Sequence, residues 1–251
     1  MEIVYAVFFM IVGLVFGPFF NVVGIRVPKR ESIVSPPSHC EKCKRRLTAI
    51  DLVPVFSYLF LRGKCRNCGA KIGFFHPIME LLSGILYTLA YLHFGFTLEL
   101  VVAILFISLL VIITVSDIAY MLIPDKVLLP FALFLIIMRI FAPLDPWWDA
   151  MAGAAVGFGV LLAIAVMSKG GMGGGDIKLF FVIGLILGFK LTIVAMFVSS
   201  VIGLIAGIVQ LIWQKKGRKQ PIPFGPWISL GSAITYFYGR EILEWYTNLL
   251  F

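Results

Sequence analysis

The sequence predicts an all-α polytopic membrane protein, with about eight transmembrane helices and one small polar insert. Three observations carry that prediction. Of 251 residues, 61% are hydrophobic and 14% charged, whereas soluble domains run at about 45–50% and about 25%; mean hydropathy is +1.02. The apolar residues fall into runs long enough to cross a bilayer. All four cysteines lie in the single long polar stretch, residues 24–76.

Taken in order, the spans fall at about 3–24, 77–95, 98–116, 126–142, 149–168, 177–189, 191–213 and 225–247. The first lacks a basic leader and is followed by no small-residue cleavage site, so it reads as a retained helix rather than a signal peptide. The sixth is short, and the eighth carries Arg240 and Glu241. Small-residue spacings at Gly13/Gly17, Gly153/Gly157, Gly184/Gly188 and Gly203/Gly207 suit close helix packing. Pro77 and Pro130 are expected near helix starts, where a missing N–H costs little. No internal repeat is evident. The domain plan is a first helix (1–23), the insert (24–76) and the remaining membrane helices (77–251).

Basic residues set the orientation. The insert carries eleven, from Arg26 to Lys71, and the 214–220 loop adds Lys215, Lys216, Arg218 and Lys219. With Lys126, Lys169 and Lys178, an eight-helix chain places 18 on one side and only Arg139, Lys190 and Arg240 on the other. The rich side is therefore cytoplasmic, and both termini face outward. This rule also accounts for the net charge of +8, so no nucleic-acid partner is expected; the partner is the lipid bilayer.

In the insert, Cys40-Glu-Lys-Cys43 and Cys65-Arg-Asn-Cys68 form two CxxC pairs separated by 21 residues. That spacing reads as a four-cysteine zinc ribbon. A stretch of roughly fifty residues buries little core, and metal–thiolate bonds supply folding energy instead. Disulfides are the alternative, but cytoplasmic placement argues against them. His39, beside Cys40, is a spare ligand at most. No dinucleotide-type glycine fingerprint occurs.

Two of the thirteen acids stand apart. Asp117 ends one apolar run, in Thr114-Val-Ser-Asp-Ile-Ala-Tyr-Met-Leu-Ile-Pro-Asp125. Asp176 opens another, after Gly173-Gly-Gly175. An acid at a membrane-segment edge is costly and points to function. The plainer alternatives are a helix-end acid for Asp117, and for Asp176 an N-cap neutralised by Lys178. Asp125 follows a proline and is expected to cap the next helix; Asp145 and Asp149 fall to an outer loop. Together, Asp117 and Asp176 fit a two-carboxylate protease. One acid keeps a proton and polarises the peptide carbonyl, while the other takes a proton from the attacking water. The histidines are scattered, and no Gly-x-Ser-x-Gly or His-Glu-x-x-His motif occurs.

Over nearly its whole length the sequence resembles the type IV prepilin peptidase family, bifunctional leader peptidases and N-methyltransferases of bacterial pilus and type II secretion systems. The resemblance is carried by Gly17-Pro-Phe-Phe-Asn-Val-Val23 with Arg26-Val-Pro28, and by the paired cysteine motifs. It continues in His76-Pro-Ile-Met-Glu-Leu-Leu82, Asp117 with Leu122-Ile-Pro-Asp125, Gly173–Lys178 and Pro223-Phe-Gly-Pro226. It implies that Asp117 and Asp176 are catalytic, and that Cys40, Cys43, Cys65 and Cys68 hold zinc. It further implies cleavage of prepilin or pseudopilin leaders after Gly, at the cytoplasmic face of the bacterial inner membrane. The new N-terminal residue, often Phe, would then be methylated by S-adenosylmethionine, for which the sequence offers no recognisable binding motif. Departures cluster in the N-terminal half: Pro18 where Ser is usual, Glu41 where Pro is favoured and His76 where Tyr is common. A peptidase without methyl transfer is therefore the nearer alternative. The remoter one is an ion-coupled transporter using its intramembrane acids.

Overall fold

A computed structural model describes residues 1–169, 171–213 and 223–250. Its described elements are helical, save two isolated β-bridges in the insert. The basic 214–220 loop and Gly170 lie outside the described residues. Two compact units, Met1–Val115 and Ser116–Phe251, divide the chain.

In the first unit, α1 (Glu2–Arg26) packs against α3 (Phe75–Phe94). The expected small-residue contact is present. A Cβ on Gly13 would lie 2.5 Å from the Ser83 carbonyl, and one on Gly17 would lie 2.6 Å from the Glu80 Cα. Pro77 sits in the first turn of α3, as its missing N–H requires. Much of α1 leaves large apolar side chains outward, Ile3 and Val4 among them, which suits a helix bathed in lipid. By contrast α4 (Leu98–Tyr120) is buried almost continuously from Val102 to Val115.

Between α1 and α3 the polar insert begins after Arg26 and ends before Phe75, slightly inside the expected limits. It contains a short 3-10 turn, Ala49–Leu52, and the five-residue α2, Phe56–Phe60.

The second unit holds α5 (Asp125–Phe141), α6 (Asp149–Met167), α7 (Gly174–Trp213) and α8 (Gly225–Leu250). Among the described residues, five helices are long and apolar enough to cross a membrane: α1, α3, α4, α6 and α7. The 17-residue α5 is shorter, and Pro130 lies inside it rather than in its first turn. The expected sixth and seventh spans form α7, which loses helical geometry at Gly188 (φ 75°, ψ −179°). Gly157 of α6 meets both Phe180 and Thr192. The chain therefore folds back at Gly188, and the two parts lie side by side.

Charged residues make that break tolerable. Arg139 donates to the carbonyls of Ala142 and Ile186, at 3.2 and 2.8 Å. Asp149 accepts the Phe189 N–H at 3.1 Å. Backbone groups in lipid must find protein partners, and these two side chains supply them. Asp149, expected in an outer loop, instead opens α6 and caps the next helical segment.

Candidate functional site

Asp117 and Asp176 both belong to the second unit. The apolar run of α4 ends where Ser116 donates to the Leu122 carbonyl and Met121, at φ 52°, donates its N–H to the Asp117 carbonyl. This turn delivers Ile123 against Gly175, where a Cβ would lie 2.8 Å from the Ile123 Cβ. Gly175 thus lets the start of α7 approach the segment following Asp117. That is the physical use of this glycine next to the acid.

Asp117 is 6% exposed, and its Oδ2 accepts the Gly225 N–H at 2.7 Å. Gly225 opens α8, and any larger residue there would intrude on the carboxyl, since its Cβ would lie 2.8 Å from Oδ2. Asp176 stands in the first turn of α7, with its own N–H donating to the Gly173 carbonyl at 3.1 Å. The close approach of Gly175 to Ile123 brings the start of α7, which bears Asp176, up to the segment that follows Asp117.

Asp125 does something else. It makes no capping bond and pairs with Lys178 at 2.7 and 2.8 Å. Lys178 therefore does not serve as the neutralising neighbour of Asp176. Both partners of the pair are about half exposed, at 54% and 53%, at the rim of an apolar crevice of about 370 Å³.

The cysteines assemble in the first unit by a repeated local geometry. In each pair the first cysteine donates its N–H five residues on: Cys40 to the Arg45 carbonyl at 2.9 Å, Cys65 to the Ala70 carbonyl at 2.8 Å. Four residues on, Lys44 and Gly69 donate back and take positive φ. A β-bridge flanks each turn, His39 with Arg46 and Lys64 with Lys71. This structural repeat escaped sequence inspection because little beyond the cysteine spacing is shared.

The four sulfurs lie within 4.8 Å of one another, with Cys40–Cys68 at 3.8 Å and Cys43–Cys65 at 4.0 Å. All four thiols are free. Zinc–sulfur bonds of about 2.3 Å in a tetrahedron put sulfurs about 3.8 Å apart, so the arrangement fits a metal ion of that size. The Arg45 backbone N–H lowers the Cys43 thiol. Backbone N–H groups of Cys68 and Asn67 bring Cys65 down to about 6. The Ala70 amide favours the Cys68 thiolate too, but burial and the neighbouring sulfurs outweigh it and push that thiol up to about 11. His39 stands outside the cluster, its Nδ1 beside the Pro37 carbonyl.

Asp51 braces the insert and closes the Thr48-Ala-Ile-Asp51 capping-box pattern, a signal that the sequence reading passed over. It accepts from the Thr48 N–H and hydroxyl in a capping box and pairs with Arg45 and Arg66, one residue from Cys65. Gly225 was inconspicuous as a partner for Asp117; the only signal was its place in Pro223-Phe-Gly-Pro226.

Two family models match the chain: Bacterial Peptidase A24 N-terminal domain over residues 11–94, and Type IV leader peptidase family over residues 104–208. A Bacillus subtilis (strain 168) protein named prepilin leader peptidase/N-methyltransferase is 44% identical over 239 residues, covering 95% of this chain and 96% of that protein. Proteins of the same name from Aeromonas salmonicida (strain A449) and Legionella pneumophila are 31% and 34% identical. They cover 88% and 84% of this chain, and 78% and 75% of their own lengths. No solved structure matches significantly.

Proposed function

The chain belongs to the type IV leader peptidase family, and from that membership we propose a bifunctional membrane enzyme acting on type IV prepilins or pseudopilins. Its peptidase cuts the leader after Gly at the cytoplasmic face of the inner membrane. Its transferase then methylates the new N-terminal residue, often Phe. The observation that supports the peptidase reading is the close approach, within one unit, of the start of α7 bearing Asp176 to the segment that follows Asp117.

Two such carboxyls share a proton. The ionised one takes a proton from water as the water attacks the peptide carbonyl, and the protonated one donates a hydrogen bond to the carbonyl oxygen. The Gly225 amide holds the Asp117 carboxyl in orientation. Residues 77–251 carry this chemistry, and 24–76 with the flanking helices serve methyl transfer. Cys40, Cys43, Cys65 and Cys68 would hold one structural zinc ion, which orders the insert. S-adenosylmethionine, when bound, supplies an activated methyl group.

The test is cleavage in detergent of a peptide with a basic leader and a Gly-Phe junction, comparing wild type with Asp117→Asn, Asp176→Asn and Asp125→Asn. Wild type and Asp125→Asn should cut after Gly, because an exposed ion pair such as Asp125–Lys178 contributes no more than about 1 kcal/mol. The other two should lose at least about 10³-fold. Activity in Asp117→Asn with none in Asp125→Asn would mean that the partner acid is misassigned.

A further inference from the structure

On the α1–α3 seam of the first unit, two residues one turn apart on α1, Gly17 and Asn21, face two residues one turn apart on α3, Glu80 and His76. Asn21 is 5% exposed. Its Nδ2 donates to the His76 carbonyl at 3.3 Å, but its Oδ1 is buried with no hydrogen-bond partner among the described residues. The His76 Nδ1 is likewise buried and without such a partner. Glu80 adds a carboxylate, tied on one oxygen by the Val55 N–H at 2.8 Å. Val55 reaches it from a left-handed backbone (φ 60°, ψ −50°), a conformation a β-branched residue rarely adopts.

A buried polar atom left unpaired costs about 1–3 kcal/mol, and two stand on the seam that also carries Glu80, the His76 Nδ1 being an acceptor when Nε2 bears the proton. An amide oxygen, a ring nitrogen and a carboxylate oxygen form a set of acceptors. The complementary ligand is a group with several N–H donors and a positive charge, and an ammonium has three donors.

We propose that Asn21, His76 and Glu80 form the socket for the α-ammonium of the cleaved substrate, with Glu80 accepting its proton before methylation. The inference rests on the methyl-transfer half of the proposed function. An ammonium has no lone pair, so a proton must leave nitrogen first, and it passes to the Glu80 carboxylate. The freed pair on nitrogen forms the new N–C bond as the S–C bond of the sulfonium methyl donor breaks, that bond's electrons remaining on sulfur. Asn21 and His76 orient the nitrogen through the two acceptors that the fold leaves open. Gly17 keeps the seam close enough to form the socket, because any Cβ there would collide with Glu80.

The experiment uses the full chain in detergent and a pre-cut peptide beginning with Phe, free or N-acetylated. Binding is measured without methyl donor, and methylation by mass spectrometry with S-adenosylmethionine added. Glu80→Gln retains an acceptor for the Val55 N–H but loses the base. Wild type should bind the free amine at least about tenfold more tightly than the acetylated peptide, a difference of about 1.4 kcal/mol. Glu80→Gln and His76→Ala should lose that preference and the methylation, yet still cut the full-length substrate. Equal binding of both peptides by wild type, or wild-type methylation by Glu80→Gln, would overturn the proposal. So would parallel loss of cleavage and methylation in both variants, which marks a structural role. Preference for the amine without any methylation by wild type would leave the socket standing and remove the transferase reading instead.

Discussion

In the Ser116–Phe251 unit the Asp117 carboxyl is met by the Gly225 amide, and even the break in α7 has its freed backbone groups satisfied by Arg139 and Asp149. In the Met1–Val115 unit, Asn21 Oδ1 and His76 Nδ1 are buried and open among the described residues, and four thiols gather where a metal fits. Each unit leaves some buried polar atoms open among the described residues, Trp227 Nε1 and Ser232 Oγ in the second. In the first, however, Asn21 Oδ1 and His76 Nδ1 lie on one helix seam and the thiols gather as a metal-sized cluster. The difference matches the two chemistries proposed. Hydrolysis needs a preset acid pair and water, whereas group transfer must receive an amine and a donor.

If the units divide the work in this way, their defects should separate. The largest effect is expected from Asp176→Asn, with cleavage down by about 10³-fold or more while a pre-cut peptide is still methylated. Mass spectrometry of both products checks it, and joint loss would mean that the activities share a site. Next comes metal removal. A strong thiol-competing chelator should expose the 27–74 insert to protease and abolish methylation, with a smaller loss of cleavage. Metal release, proteolysis and the two activities are followed in one titration.

A third contrast concerns packing. Gly184→Ala puts a Cβ 2.2 Å from the Gly153 carbonyl oxygen, whereas Gly159→Ala meets nothing within 4 Å. Thermal unfolding in detergent should show about 1–3 kcal/mol lost for the first and less than about 0.5 kcal/mol for the second.

The smallest effect concerns Asp51. The Thr48 N–H and then its hydroxyl hold this carboxyl below the usual carboxylate range. A group with a depressed folded pKa stabilises the fold above its ordinary value of about 3.9 and loses that contribution as pH falls through the lower folded value. The contribution of Asp51 should therefore be constant above about pH 5 and be lost only below about 4. Asp51→Asn should cost about 1 kcal/mol at neutral pH and flatten that acid limb, read by protease resistance of the insert against pH.

The helices were legible because lipid demands long apolar runs, and the cysteine pairs because metal ligation fixes their spacing. Asp117 and Asp176 stood out as acids among apolar neighbours. What the sequence concealed were partners chosen by backbone position. The Gly225 amide, the caps at Gly188 and the Asp125–Lys178 pair depend on which helix ends meet, and single-chain periodicity carries no such record. Asp149 was an ordinary acid until the Phe189 N–H that it binds came into view.

The reversal at Gly188 has a consequence for biosynthesis. Gly174–Leu187 extends only about 21 Å at 1.5 Å per residue, less than the roughly 30 Å hydrocarbon layer. Entering the bilayer alone, it would leave its last carbonyls without donors. Arg139 and Asp149 lie earlier in the chain and emerge from the ribosome first. Segments α5 and α6 must therefore wait beside the insertion machinery until this short helix arrives, so that the three settle into the membrane as one cooperative group.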